Sequence, residues 1–264
     1  MEIIRGLFDL NGALSRRLDA LLPKDLSIDG NRDFIDRFVP QFITPGARLV
    51  DVGGGKQPYL DVRSKSSLGV HVTGIDIKQE ELDQAPEGAY DATICADIST
   101  YRGTNDADII VCQAVLEHVR DVAGAFIAFA SIMKPGGLAL IFLPSRNAVY
   151  ARLNLMLPEA LKRKILFYIF PNTRKTQGFA SYYDHCTPRE FQRLADKYGF
   201  RVEAQRLYYT SSYFSFLFPI YVIWRIWIML FRAADKLQAA ETFSMALRKT
   251  WDRDSGRQDS CISN

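Results

Sequence analysis

With 264 residues, 48% of them hydrophobic, the chain can bury one large core carrying sizeable insertions, and its formal charge of +3 is too small for a nucleic-acid groove. Cys95, Cys112, Cys186 and Cys261 show no paired or CxxC spacing, so no disulfide or zinc framework is expected and the thiols read as reduced. Charge interrupts the first ten residues too often for a secretory segment, and Glu2 with Asp9 argues against a transit peptide, which makes the cytosolic side the expected home.

Ile3, Ile4, Leu7, Leu10, Leu14, Leu18, Leu21 and Leu22 recur at helical spacing. They predict an amphipathic helix over residues 1–22 that packs on the domain, with a membrane or substrate lid as the alternative. Asn31 is the expected cap of a second helix, Arg32 to Phe42, ending before Pro45-Gly46. In Ala47-Arg-Leu-Val-Asp-Val-Gly-Gly-Gly-Lys-Gln-Pro-Tyr59, β-favouring residues run into three glycines, and Pro58 suits the first turn of a helix. A turn of this kind lets backbone N–H groups approach a ligand with no Cβ in the way. Further strands are expected at 70–76, 91–95, 108–112 and 138–143, with helical stretches between them and a sharp helix-to-strand turn at Lys134-Pro-Gly-Gly137. Such alternation implies a parallel sheet covered on both faces, with the ligand at the strands' C-terminal ends. Thr187 caps a late helix to Phe200, and strands at Arg201–Tyr209 and Glu241–Lys249 are expected to pair antiparallel. The polar tail from Trp251 to Asn264 reads as disordered.

Asp76 ends the second strand 21 residues beyond Gly55, where a carboxylate can accept both hydroxyls of a ribose. A dinucleotide fold needs G-x-G-x-x-G for its pyrophosphate, but Pro58 stands in the third glycine's place, and S-adenosylmethionine, which carries no phosphate, does not need it. At this point the chain resembles the class I S-adenosylmethionine-dependent methyltransferases, over roughly residues 45–249. Their motifs correspond to Asp51-Val-Gly-Gly-Gly-Lys-Gln57, Gly74-Ile-Asp76, Cys95-Ala-Asp97-Ile98 and Asp108-Ile-Ile-Val-Cys-Gln-Ala-Val-Leu-Glu-His-Val119, followed by Lys134-Pro-Gly-Gly137. The resemblance implies that Gly53 and Gly55 flank the methionine part of the cofactor, Asp51 supports the loop, Asp76 holds the ribose, Asp97 with Ile98 faces the adenine, and Gln113 belongs to the same cofactor-binding set. Gln57 departs from the family's loop, which often has a glycine there.

The fold implied is α/β and Rossmann-like: a seven-stranded, mostly parallel sheet with an antiparallel last strand and two apolar helical insertions. Residues 1–45 would be N-terminal helices, 46–249 the methyltransferase domain with insertions at about 145–184 and 210–240, and 250–264 the tail.

Methyl transfer needs an in-line nucleophile, and a base only where the acceptor holds its proton. His118 and His185 are the candidate catalytic residues, with a structural role for His118 as the alternative; by resemblance Tyr182-Tyr-Asp-His185 lines the acceptor pocket, with simple packing as the alternative. Some quinone-pathway relatives hold a divalent metal through an acid three positions before the Glu of the Glu-His pair, but Ala114 stands there, so no metal is expected.

One insertion places Lys162-Arg-Lys164 between Leu153–Pro158 and Ile165–Phe170, a pattern that suits an interfacial helix or an active-site lid. The other, Tyr213 to Phe231, would reach about 30 Å as a helix, enough to cross a bilayer, yet a crossing would part the two strands that flank it. An in-plane or re-entrant anchor resolves this, with Tyr221, Trp224 and Trp227 at headgroup level and Arg225 and Arg232 facing phosphates; a helix buried in a homodimer is the alternative. The expected function is methyl transfer from S-adenosylmethionine to a hydrophobic or lipid-linked acceptor, by an enzyme in peripheral contact with the cytosolic membrane face. The alternatives are a soluble-metabolite methyltransferase that uses its apolar insertions to dimerise, and a non-catalytic cofactor-binding scaffold.

Overall fold

The computed structural model describes residues 2–157, 180–211 and 213–250. Strand β1 (Arg48–Val52) pairs in parallel with β2 (His71–Asp76) on one side and β4 (Ala107–Gln113) on the other, and β2 is flanked by β3 (Ala92–Cys95). Beyond β4 lie β5 (Met133–Pro144), then β7 (Thr242–Lys249) antiparallel to it, then β6 (Phe200–Tyr208) at the edge. The order β3-β2-β1-β4-β5-β7-β6 turns back between β1 and β4, which opens a crevice above the C-terminal ends of those two strands.

Both faces of the sheet are covered, which is why β1, β4 and β5 read as nearly unbroken apolar runs. On one face Phe126 and Phe129 of helix α5 (Val122–Ile132) and Phe191 of the late helix Pro188–Lys197 pack on Val50, Ile110, Ile141 and Phe243. On the other, Phe34 and Phe38 cover Leu49, Val111 and Leu140. These two phenylalanines lie where helix α2 (Gly30–Asp33) widens into a π-turn, Phe34–Phe38. The cap of α2 is Asp29, which accepts from Arg32 N at 3.1 Å, and not Asn31. The helix starts earlier than expected, which frees the Asn31 side chain to bond elsewhere. Pro58 likewise lies outside a helix: Asp61 caps α3 (Val62–Leu68), and residues 53–61 form a longer loop wrapped around Asp51. The stretch Lys134-Pro-Gly-Gly137 is the start of β5, where a register shift against β4 and Gly136 at φ +80° let the chain turn without leaving the ladder.

The largest departure from expectation is in the β6–β7 excursion. There the insertion helix α8 (Phe218–Ala234, counting α4 at Gln79–Asp83, α6 at Val149–Met156 and α7 at Pro188–Lys197) lies against the N-terminal helix α1 (Glu2–Leu21). Arg225 is 2% exposed and does not face outward. Its Nη2 meets Asp19 Oδ1 at 2.7 Å, Nη1 donates to the Tyr209 carbonyl at 2.9 Å and Nη2 to the Leu26 carbonyl at 3.0 Å. Tyr221 and Trp224 are buried beside it, so none of these three can sit among headgroups, while Arg232 pairs with Asp25 at the surface. A charge in the middle of an apolar helix is tolerated because each guanidinium nitrogen finds an acceptor inside the protein. Helix α1 meets α8 through Leu18, which packs against the cluster of Tyr221, Trp224 and Ile228, and through polar residues: Asn11 accepts from Phe218 N at 2.8 Å and Ser15 donates to the Ser215 carbonyl. Of the predicted leucine face, Leu18 and Leu22 pack on the domain, whereas Leu7, Leu10 and Leu21 stay exposed. No helix among the described residues is long and apolar enough to cross a membrane. The cluster Lys162-Arg-Lys164, the run Ile165–Phe170 and the tail 251–264 lie outside the described residues.

Candidate active site

Above the crevice, the glycine loop has a shape that only glycine allows. Gly53 and Gly55 take φ of +75° and +49°. A Cβ on Gly53 would run into Val115 Cγ2, one on Gly54 into the Asp51 carboxyl with the Tyr90 hydroxyl at 2.6 Å, and one on Gly55 would lie 3.1 Å from Asp76 Oδ2. The loop therefore wraps Asp51 and abuts both the end of β2 and the segment after β4. Asp51 Oδ2 accepts from Tyr59 N at 2.8 Å and lies 3.2 Å from the Tyr90 hydroxyl, whose single proton is shared with the Gly55 carbonyl at 3.1 Å. Burial pushes the Asp51 carboxyl up to about 6, against these hydrogen bonds and with a contribution from the charge of Asp76. Tyr90 carried no signal in the sequence. It also explains Gly74, where a Cβ would meet its ring at 2.8 Å.

Asp76 is buried at the tip of β2; Oδ1 accepts from Lys78 N at 2.9 Å, and desolvation holds the carboxyl above its usual range. The structure thus brings Asp51, Gly53, Gly55 and Asp76 into one cradle. Asp97 is exposed, and its Oδ1 accepts from Ser99 N and Ser99 Oγ at 2.8 and 2.7 Å. Ile98 is buried in the main core with Val52 and Ile75, and Gln113 donates to Asn31 Oδ1 at 2.7 Å, tying the α2 segment across the crevice. The residues present fit the S-adenosylmethionine that the resemblance implies, and do not fit a pyrophosphate. The helix following the loop starts only at Val62, and the Asp61 carboxylate already occupies Ser64 N at 2.8 Å and Ser64 Oγ at 3.0 Å, so its N-terminus offers an anion a negative charge. If Asp76 accepts both ribose hydroxyls, Asp76→Ala weakens S-adenosylmethionine binding by about 100-fold, the worth of two charge-assisted hydrogen bonds. Calorimetry checks this, and an unchanged affinity would remove the ribose role.

Next to the cradle, a second group of polar residues gathers where β4 ends. Ala114, Tyr183 and His185 all take positive φ, at +53°, +52° and +52°, a conformation that costs L-residues energy and collects at functional sites. The Glu117 carbonyl accepts from Tyr182 N at 2.8 Å and Tyr183 N at 3.0 Å, so loop 180–187 is pinned over the short 3-10 turn Leu116–His118. That closure leaves the Glu117 side chain buried, with Oε2 unpartnered, and desolvation raises its carboxyl to about 8. Its charge bears on Tyr150, Tyr183 and Tyr213, whose hydroxyls are all raised chiefly by burial; the Tyr150 and Tyr213 rings stack at 4.3 Å.

His118 sits at the same place. Its Nδ1 lies 3.1 Å from the Ala180 carbonyl, which can only accept, so the ring proton is on Nδ1 and the lone pair on Nε2, 3.8 Å from Glu117 Oε1. Burial holds its pKa below the usual value. His185 is exposed and pairs through Nδ1 with Asp184 at 2.8 Å, while Asp184 also accepts from Val122 N at the start of α5. Sequence reasoning named His118 and passed over Glu117, whose only signal was an acid one turn beyond a strand end. Among the described residues no three His, Cys, Asp or Glu side chains are placed to hold a metal.

Residues 25–205 match a family described as a methyltransferase domain. The ubiquinone biosynthesis O-methyltransferase of Aeromonas salmonicida is 27% identical over 164 residues, 60% of this chain and 64% of that protein. That of Burkholderia thailandensis is 33% identical over 110 residues, 39% of this chain and 47% of that protein, so the chain spans about half to two thirds of the relatives it matches. Among solved structures, an S-adenosylmethionine-dependent methyltransferase from Mesorhizobium loti superposes with a TM-score of 0.54 at 17% identity, covering 85% of this chain and 100% of that one. Another, from Archaeoglobus fulgidus, gives 0.50 at 17% identity over 81% and 91%. At such identities the structural likeness shows the fold alone.

Proposed function

The chain belongs to the class I S-adenosylmethionine-dependent methyltransferases, and from that premise we propose that it methylates a hydroxyl group of a hydrophobic, lipid-linked acceptor at the cytosolic face of a membrane. The observation that carries the reading is the position of Tyr213: at the root of the apolar insertion, it stacks on Tyr150 and feels the charge of Glu117, so the insertion begins beside the polar group around Glu117.

S-adenosylmethionine supplies an electrophilic methyl group on a sulfonium when bound. Gly53 and Gly55 admit it and Asp76 orients it, while Glu117 takes the proton of the acceptor hydroxyl. Of the two candidate bases, Glu117 is the stronger, since its pKa of about 8 lies above that of His118, which burial lowers. A proton delivered to the pair rests on Glu117, and His118, held neutral by burial and oriented by the Ala180 carbonyl, positions the acceptor. His185 lies outside this proton path. The names of the curated relatives, which are O-methyltransferases, agree with a hydroxyl acceptor.

The membrane part rests on α8 and its neighbour α1. Ile223, Leu230 and Trp227 are 68%, 65% and 51% exposed and, with Ile220 and Ile226, form one stripe; Leu7 and Leu10 of α1 are exposed as well. Phe218–Ala234 contains no acidic residue, and its two arginines are paired with Asp19 and Asp25, so the stripe itself carries no charge to desolvate. Unpaired Cys95, Cys112 and Cys186 agree with the cytosolic side. The test is sedimentation with phosphatidylcholine vesicles. Wild type should pellet, and Ile223→Glu with Trp227→Glu should stay in the supernatant while still binding S-adenosylmethionine, since burial of each large side chain is worth about 1.5–3 kcal/mol. Wild type that ignores vesicles but forms a dimer broken by these changes would sink the membrane reading and favour the soluble acceptor. Transfer of label from S-adenosylmethionine to lipid rather than aqueous extracts tests the acceptor class.

A further inference from the structure

Beyond the acceptor pocket, a cleft of about 380 Å³ opens between the C-terminal end of β5 and the start of α7. Three arginines line it: Arg146, which follows β5, and Arg189 and Arg193 one turn apart on α7. Arg152 stands at its rim, donating to Asn147 Oδ1 at 3.1 Å. Like charges four residues apart weaken a helix, and here a third guanidinium from a segment some forty residues away joins them. Two acids are close by. Asp235 pairs with Arg189 at 2.8 Å, and Glu190 is turned into its own helix cap, accepting from Thr187 Oγ1 at 3.0 Å. Among the described residues no carboxylate pairs with Arg146 or Arg193. The cleft is therefore left with a positive surplus, at the end of a helix whose dipole adds to it.

Its position gives that surplus a use. Arg146 and Asn147 lead directly into Tyr150 of the acceptor pocket, and Arg146 N donates to the Cys186 carbonyl at 2.6 Å, within loop 180–187 that covers Glu117. Gln238, which also lines the cleft, follows the C-terminal end of α8. The cleft thus lies between the polar pocket and the end of the apolar stripe, where the anionic group of an amphiphile would fall.

We propose that the cleft formed by Arg146, Arg189 and Arg193 is a subsite for the phosphate or diphosphate group of the lipid-linked acceptor. The inference rests on the lipid-acceptor reading above and narrows it: the acceptor carries phosphate as well as an apolar chain. Forked guanidinium donors match phosphate oxygens, which a neutral lipid such as a quinone would leave unused.

Farnesyl diphosphate, farnesol and inorganic pyrophosphate are suitable probes, titrated calorimetrically into full-length wild type and the exposed double variant Arg146→Gln/Arg193→Gln. Farnesyl diphosphate should bind wild type roughly tenfold or more tightly than either other probe, with an advantage over farnesol that shrinks as salt rises. The double variant should lose the advantage over farnesol and keep its melting temperature. Equal binding of farnesyl diphosphate and farnesol by wild type, or an advantage that survives in the variant, overturns the proposal. Pyrophosphate binding as tightly as farnesyl diphosphate identifies a site for a free anion and also overturns it. These failures are separable from failure of the broader reading: a protein that pellets with phosphatidylcholine vesicles but shows no diphosphate preference loses the cleft alone. One that prefers farnesyl diphosphate in an arginine-dependent way but ignores vesicles loses the membrane location alone.

Discussion

Glu117→Gln is expected to lower methyl transfer by roughly 100-fold and, at the same time, to make the protein harder to unfold at alkaline pH. Both effects have one cause, the closure of loop 180–187 over a carboxyl whose Oε2 has no partner. Burial raises the folded-state pKa from 4.5 to about 8. A raised carboxyl contributes stability that is fully present below the unfolded value and is lost as pH rises through the folded one, so wild type should lose stability between about pH 4.5 and 8. At about 1.4 kcal/mol per pH unit the full loss is on the order of 5 kcal/mol. Glutamine keeps the shape, cannot ionise and cannot accept the proton. Thermal unfolding of wild type and variant between pH 5 and pH 9 should therefore diverge, with the variant the more stable at the upper end. In parallel, kcat/KM of wild type should rise with an apparent pKa near 8 that the variant lacks. Parallel melting curves would contradict the buried charge, and near-normal turnover would leave positioning by His118 and the cradle as the whole of catalysis.

The second large effect is structural. Arg225→Met is expected to destabilise the protein by about 3–5 kcal/mol, because it leaves Asp19 and the Leu26 and Tyr209 carbonyls without the group that joins them. For a chain of this size each kcal/mol shifts the melting temperature by about 2–4 °C. Asp19→Leu with Arg225→Leu should recover most of the loss, since removing both partners strands no charge. Hydrogen exchange should show α1 and α8 losing protection before the sheet, whose pairings do not involve either helix. If Arg225→Met is harmless while Trp227→Glu unfolds the protein, the inward and outward faces of α8 are the reverse of those described.

The sheet was legible in the sequence because its signals are local. Leu49, Val50 and Val52 before three glycines, an acid at the next strand tip and the later strand-helix alternation each depend on a few neighbouring residues, and all seven strands formed within one or two positions of expectation, β5 apart. The cradle followed for the same reason: a glycine at positive φ or an aspartate ending a strand is written into the local chain. Glu117, Tyr90 and the arginine cleft were not legible. The Glu117 carboxyl is buried and raised only when a loop some sixty residues later covers it, and Arg146 meets Arg193 only through the crossing of β5 and α7.

Residues 213–231 mark the boundary most clearly. Their apolar composition, by itself, determined that this stretch buries much of its surface, and the antiparallel strands on either side determined that it returns to the same side. Only the tertiary structure decided which face turns inward. The sequence offered Tyr221, Trp224, Arg225 and Arg232 as outward anchors, whereas Asp19 and Asp25, some two hundred residues earlier, draw that face into the protein and leave Ile223, Trp227 and Leu230 outside. Helical periodicity identifies stripes, but a stripe containing arginine is inside or outside according to whether a partner waits for the charge. That partner is supplied by the fold and not by the segment.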